Sequence, residues 1–281
     1  MTSCMTNKEI LQWAIAELGV EKRMEAELLL CHVLNTNRGL LLAHDTDCIA
    51  REQAEVYRDF ILRRKNNEPF QYLLGSANFM GLDLIVTPDV LIPRFDTERL
   101  VEKSLELLAD KQQPIVLDIC TGSGAIAIAI SHYKQDALVY AGDISEQALR
   151  VAKENNRRCN TTVEFRQGDL TAPFENLFGK VDLLTSNPPY ITSEEMNELP
   201  ADVLQEPHLA LWGGDDGLRF YRLLIANAPA LLKNGGWLVF EIGWKQGESV
   251  QLLMQQRGFD NVAVIQYWQG NDRVVVLQLL Y

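Results

Sequence analysis

The stretch "VLDICTGSGAIAIAI" (residues 116–130) joins an apolar run to a turn holding Gly122 and Gly124, and then to an Ala-rich run with helical character. Strand, Gly-rich turn and helix in that order mark the first unit of an open α/β sheet, where ligands sit beyond the carboxyl ends of the strands. Further apolar runs follow at 138–141, 163–165, 181–184, 237–240, 262–265 and 274–277, with helical segments between most of them. Seven short runs interleaved with helices predict a mostly parallel, doubly wound sheet. Only the turn Gln269-Gly270-Asn271-Asp272 separates the last two, too little for a parallel crossover, so they are expected to form an antiparallel hairpin.

Toward the N-terminus the period changes. Ile10, Leu11, Ala14, Ile15 and Leu18 recur at helical spacing before Gly19, and Ala26, Leu29, Leu30, Val33 and Leu34 repeat the pattern up to Asn35. A third segment, 51–67, carries Ala54, Tyr57, Phe60 and Ile61 on one face. These segments predict a small helical bundle over residues 1–75, serving packing or recognition. Residues 76–93, with Met80-Gly81 between short alternating runs and prolines at Pro88 and Pro93, read as a β-hairpin linker. The α/β domain then occupies 94–281.

The chain has 281 residues, 47% of them hydrophobic, enough for more than one core. A net charge of −12 opposes a protein that holds nucleic acid by covering phosphates with Lys and Arg. The tight basic clusters, Arg63-Arg64-Lys65 and Arg157-Arg158, read as solvated helix faces. Five cysteines without C-x-x-C spacing and four scattered histidines predict no metal site and suit a reducing compartment. No apolar run approaches the roughly 20 residues that span a bilayer. The expectation is a cytoplasmic protein with no membrane partner.

The candidate site follows from the strand ends. A carboxylate just before the Gly-rich turn would repel a phosphate at the helix N-terminus. Asp118 stands there. It suits a ligand with an ammonium group and no phosphate, and S-adenosyl-L-methionine, with its sulfonium besides, is such a ligand. Asp143 ends the next strand, placed to accept from two ribose hydroxyls, and Asp169 ends the third, placed to bond an adenine amino group with Leu170 against the ring. Cys120, Thr121, Gly122, Ser123 and Gly124 form the turn itself.

At the end of the fourth strand stands "SNPPYI" (186–191). Two prolines remove two backbone donors and stop the strand. The Asn187 side chain and the Pro188 carbonyl can then accept both hydrogens of a planar amino or amide group, with Pro189 shaping the corner and Tyr190 stacking on the group. Acceptors for both hydrogens turn the nitrogen lone pair toward the methyl carbon and stabilise positive charge developing on nitrogen. No histidine or cysteine base is required. On this chemistry a carboxamide and an adenine amino group fit equally.

The motifs "FMGLDLIVTPDVLIPR" (79–94), "DICTGSGAIAIAI" (118–130), "SNPPYI", "EPHLAL" (206–211), "GGDDGLRFY" (213–221) and "GNDRVV" (270–275) together resemble the HemK/PrmC family of class I S-adenosylmethionine-dependent methyltransferases, which methylate glutamine in peptide chain release factors. The resemblance implies a Rossmann-like seven-stranded methyltransferase domain. It implies protein-(glutamine-N5) methylation at the Gly-Gly-Gln motif, with S-adenosyl-L-homocysteine as product and class I release factors as partners docked in part by the N-terminal helices. It also implies that Asn187 and the carbonyl after it hold the amide. Asn-Pro-Pro-Tyr is shared with adenine-N6 methyltransferases of RNA and DNA, so that activity, and ribosomal-protein glutamine methylation, stand as alternatives. Two positions depart from the family: Cys120 stands where Gly is common, and Phe95 replaces a frequent proline. A cysteine at that turn is expected to need a negative φ or a shifted turn. The motif residues Arg94, Glu98 and Glu206 are expected to form ordinary ion pairs.

Overall fold

The strand "VDLLTS", β6 below, is buried at all six positions, as expected for a strand covered on both faces. It lies at the centre of the larger of two compact units in the computed structural model, which describes residues 5–259, 261–266 and 270–280. One unit runs to Gly75 and takes in Pro200–Gln205; the other comprises Ser76–Leu199 and Glu206–Tyr281.

The first unit holds α1 (Asn7–Leu18), α2 (Arg23–Leu34), α3 (Arg38–Ala43), α4 (Arg51–Lys65) and α5 (Phe70–Leu74). A capping box between Thr6 and Glu9 starts α1, satisfying orphan N–H groups of its first turn. Gly19 ends α1 at φ +95, and Asn35 ends α2 in the left-handed region. Ile10, Leu29, Leu30, Tyr57 and Ile61 form its core, and the Tyr57 hydroxyl donates to the Ala26 carbonyl. One reading changes here. Arg64 is buried, with its guanidinium on Glu25 at 2.5 Å and near Asp202 at 3.5 Å, so the basic cluster is not a uniformly solvated face. The short α3 and α5 have too few periodic positions to be read from the sequence.

In the second unit β1 (Ser76–Phe79) and β2 (Leu82–Ile85) form an antiparallel hairpin. Then come α6 (Glu98–Leu108), β3 (Ile115–Ile119), α7 (Ala125–Tyr133), β4 (Leu138–Asp143), α8 (Glu146–Arg158), β5 (Val163–Gln167), β6 (Val181–Ser186), α9 (His208–Leu211), α10 (Arg219–Leu231), β7 (Leu232–Glu241), α11 (Gly247–Gln256), β8 (Val262–Gln266) and β9 (Asp272–Gln278). Seven strands among the described residues order as β5-β4-β3-β6-β7-β9-β8, with β9 antiparallel to both β7 and β8 and the other pairs parallel. The C-terminal hairpin is as expected, although Gln269 of its turn lies outside the described residues. Two apolar layers sandwich the sheet, one around Ile128, Ile130 and Leu100, the other around Phe174, Tyr221, Leu224 and Phe240.

Asn155 of α8 ties the hairpin to the sheet. Its side chain pairs both backbone groups of Ile85, at 2.7 and 2.9 Å, and also donates to the Ser123 carbonyl at 3.0 Å. Residues 76–85 are thus fastened to the Gly-rich turn. Cys31, Cys120 and Cys159 carry free thiols. No helix among the described residues is long and apolar enough to cross a membrane, and no cluster of three His, Cys, Asp or Glu side chains there could hold a metal ion.

Candidate active site

The carboxyl ends of β3, β4, β5 and β6 open into one cavity of about 290 Å³. The backbone leaves the sheet there: β3 runs into a turn with Cys120, Gly122 and Gly124 at positive φ, and β6 stops at Pro188-Pro189, which have no N–H to extend the ladder. Gly122 sits at φ +54 on the cavity wall, and a Cβ built on it would meet no protein atom within 4 Å. The space above it is free for a ligand. Gly124, at φ +82, has the opposite reason to be glycine: a Cβ would come within 2.9 Å of Ile128 and 3.1 Å of Ala152, so its absence lets α7 and α8 close on the turn.

Asp143 fastens this turn. One carboxylate oxygen accepts the Gly122 N–H at 2.9 Å and the other the Ser145 N–H at 3.0 Å. Each oxygen keeps a lone pair, and the residue lines the cavity. Burial raises its pKa, and these N–H groups pull it back. Asp169 and Leu170 lie on the wall from the end of β5, Leu170 at φ +46. Cys120 is also on the wall, at φ +61. Of the two ways left open by the sequence, a negative φ or a shifted turn, the first does not occur: the thiol-bearing residue adopts the left-handed backbone that a glycine would take there. Burial pushes its thiol pKa well up, so it is held neutral.

Asp118 is elsewhere than its reading implies. It is fully buried beneath the turn and does not line the cavity. Its two oxygens accept from the Thr121 hydroxyl at 2.6 Å and the Thr185 hydroxyl at 2.8 Å. Burial, against those hydrogen bonds, pushes its pKa up to about 7. Thr121 and Ser123 are likewise buried, so the turn presents Cys120 and Gly122 to the cavity and keeps its hydroxyls below.

The 186–191 corner is braced from several sides. The Ser186 hydroxyl donates to the Ile119 carbonyl at 2.6 Å, and Gln246 donates to the Tyr190 carbonyl at 3.1 Å. The Ile191 N–H donates to the Leu211 carbonyl at the end of α9 and the Ile191 carbonyl accepts the Gly213 N–H, and a Cβ on Gly213 would collide with the Pro189 carbonyl at 2.7 Å. Asn187 and Pro189 line the cavity; Pro188 and the Tyr190 ring do not. Tyr190 packs into the core beside Glu241, and burial raises its hydroxyl pKa. Asn187 donates through Nδ2 to the Thr97 hydroxyl at 3.3 Å. Among the described residues its Oδ1 receives no hydrogen bond.

The motif acids also find their places. Buried Glu206 accepts the Ile92 N–H at 3.0 Å and pairs with Arg94, so "VLIPR" and "EPHLAL" are held together by one ion pair. Glu98 accepts the Met80 N–H at 2.7 Å, at the hairpin turn. His208, Leu209, Trp212 and Phe220 complete the cavity wall. Individually they carry no chemical signal; the motifs "EPHLAL" and "GGDDGLRFY" hold His208, Leu209 and Phe220, and Trp212 stands between the two.

Residues 9–75 match the model of the PrmC N-terminal domain, and residues 98–209 that of the methyltransferase small domain. The release factor glutamine methyltransferase of Moorella thermoacetica is 45% identical over 276 residues, covering 96% of this chain and 97% of that protein. The chain belongs to the release factor glutamine methyltransferase family. That of Bacillus subtilis is 38% identical, covering 95% of this chain and 96% of its own length. Among solved structures, a methyltransferase from Pyrococcus furiosus superposes with TM-score 0.52 at 20% identity, over 72% of this chain and 91% of that one. The catalytic domain of hMettl16, solved with an RNA hairpin, gives TM-score 0.58 at 15% identity, over 82% of each chain. These two likenesses establish the methyltransferase fold and nothing finer.

Proposed function

We propose that this protein transfers a methyl group from S-adenosyl-L-methionine to the side-chain amide nitrogen of the glutamine in the Gly-Gly-Gln motif of class I peptide chain release factors, in the cytoplasm. The observation that carries it is Asn187: a carboxamide on the cavity wall whose nitrogen is engaged by Thr97 while its oxygen is left as an acceptor. A planar N–H donor is what such an oxygen recognises.

The cavity suits the cofactor. The free lone pairs of Asp143 are available to ribose hydroxyls, Leu170 and Ile119 offer apolar surface to a purine, and the open space over Gly122 admits the chain of the amino acid. When bound, the cofactor supplies a methyl group on a cationic sulfur. Asn187 Oδ1 and the Pro188 carbonyl accept the two N–H bonds of the glutamine amide, turn its lone pair to the methyl carbon, and stabilise the charge that develops on nitrogen. The proton then leaves to water. Asp118 acts from below, holding Thr121 and so the shape of the turn, and contributes its field to the ammonium end. Tyr190 stiffens the corner from the core. Residues 1–75 form the substrate-recognition domain, 76–93 link it to the methyltransferase domain at 94–281, and neither nucleic acid nor metal is a standing partner.

The test is to incubate the protein with labelled S-adenosyl-L-methionine and either purified release factor or nucleic acid, and to map the methylated atom. Label on the Gly-Gly-Gln glutamine is expected. Label on an adenine N6 instead would replace this reading with the alternative that the same two acceptors allow.

A further inference from the structure

Register places Asn187 and Glu241 side by side. Ser186 at the end of β6 pairs in parallel with Phe240 of β7, so Asn187 leaves the sheet beside Glu241, the last residue of β7, which still pairs with Val274 of β9. Between them stands Thr97, at the end of the 3-10 turn Phe95–Thr97 that opens α6. Thr97 and Glu241 are both buried. The Thr97 hydroxyl accepts from Asn187 Nδ2 at 3.3 Å, and the Glu241 carboxyl group stands next to it, close enough that Thr97 lowers its pKa. One carboxyl oxygen of Glu241, Oε2, has no hydrogen-bond partner and is closed off from solvent.

We propose that Thr97 and Glu241 are positioning residues that fix which end of the Asn187 carboxamide faces the cavity. This rests on the reading of Asn187 as the acceptor for the substrate amide. A carboxamide has two nearly isosteric ends, one donating and one accepting, and a half-turn about its last bond exchanges them. With the nitrogen inward, Asn187 would present N–H to a substrate that also presents N–H, and the clamp would fail.

A threonine alone cannot prevent that half-turn, because its hydroxyl donates and accepts equally well. A carboxylate removes the ambiguity. It only accepts, so it takes the single Thr97 proton and leaves Thr97 as an acceptor toward Asn187. The nitrogen of Asn187 is then drawn toward Thr97 and Oδ1 is turned out. Burial makes the arrangement firm, since an unmatched donor or acceptor there has no water to turn to. Burial, with Asp96, pushes the Glu241 pKa up to about 7 against Thr97, Arg273 of β9 and Arg94, so the relay is set in the ionised form, above about pH 7; Tyr190 and the Tyr221 hydroxyl, which donates to the Glu241 backbone carbonyl, stand close by.

The test uses the whole chain with Thr97→Val, which keeps the shape and removes the hydroxyl, and Thr97→Ser, which keeps the hydroxyl. Thr97→Val is expected to lower kcat on release factor at least tenfold with the dissociation constant for S-adenosyl-L-methionine changed less than threefold; Thr97→Ser is expected to recover most of kcat. Glu241→Gln, whose amide can donate to Thr97 as well as accept, is expected to slow turnover at least threefold. A purely structural role would not separate Val from Ser in this way. The side-chain amide protons of Asn187, identified in 15N-labelled protein by their loss in Asn187→Asp, give a readout without substrate: their exchange with solvent is expected to be at least tenfold faster in Thr97→Val than in wild type or Thr97→Ser. Equal exchange in all three, or equal kcat in Val and Ser, overturns the proposal. If protected Asn187 protons accompany a wild type that methylates no glutamine, the relay stands and the functional reading falls.

Discussion

Asp143 holds Gly122: the carboxylate at the end of β4 accepts the backbone N–H of the turn after β3 at 2.9 Å. The same group is the proposed acceptor for ribose hydroxyls, so it shapes the cavity and contacts what fills it. Removing a hydrogen bond to a charged group costs about 1.5–3 kcal/mol. Asp143→Ala is therefore expected to weaken S-adenosyl-L-methionine binding by about ten- to a hundredfold, as read by calorimetry. An unaltered dissociation constant would take Asp143 out of the cofactor site.

Asn187 should divide binding from turnover. It lies at the cavity wall but its free oxygen is assigned to the substrate amide. Asn187→Ala is expected to lower kcat by about 10²-fold, the typical loss of one positioned electrostatic contact, while cofactor affinity stays within about threefold. Single-turnover methylation and equilibrium dialysis measure the two. Undiminished turnover would mean that another acceptor holds the nitrogen.

Cys120 shows local strain directly. At φ +61 a side chain costs about 1–2 kcal/mol, which glycine avoids, against about 0.5–1 kcal/mol of extra entropy that glycine loses on folding. Cys120→Gly should thus be neutral or stabilise by about 1 kcal/mol. Cys120→Val, β-branched in the same backbone, should destabilise by more than 1 kcal/mol. Urea unfolding of the two variants decides. A stable valine variant would mean that the turn relaxes out of the left-handed region.

Where the chain announced itself and where it did not follow from how far apart the partners lie. The strand ends at Asp143, Asp169 and Asn187 were readable because a parallel sheet brings successive carboxyl ends to one edge whatever the intervening helices contain. The burial of Asp118 was not, because Thr185, the hydroxyl that holds its second oxygen, comes from β6, 67 residues away. The same holds for Arg64, which is buried through Glu25 and Asp202, and for Tyr190, whose ring turns to Glu241 rather than to the cavity. Strand β7 runs from Leu232, five residues before the apolar run at Trp237, across a register shift against β6 in which Gly235-Gly236 interrupts the hydrophobic pattern. Local composition gives element type; side-chain partners from distant strands decide which polar residues face the ligand.

Asp118 makes stability depend on pH in a defined direction. Unfolded, it titrates near the usual carboxylate value of about 4; folded, burial pushes it up to about 7. The native chain binds this proton more tightly, so the contribution to stability is complete below about pH 4 and is lost as pH rises through 7. Asp118→Asn removes the titration while Glu241, also raised to about 7 by burial, remains in both proteins and cancels in their difference. Whatever its baseline, the Asn variant is therefore expected to gain on wild type as pH rises from 4 to 7, at up to ~1.4 kcal/mol per pH unit. Urea unfolding of both proteins at pH 4.5, 6 and 8 measures the gap. A gap that does not change with pH would show that Asp118 stays ionised beneath the turn, stabilised there by Thr121 and Thr185 alone.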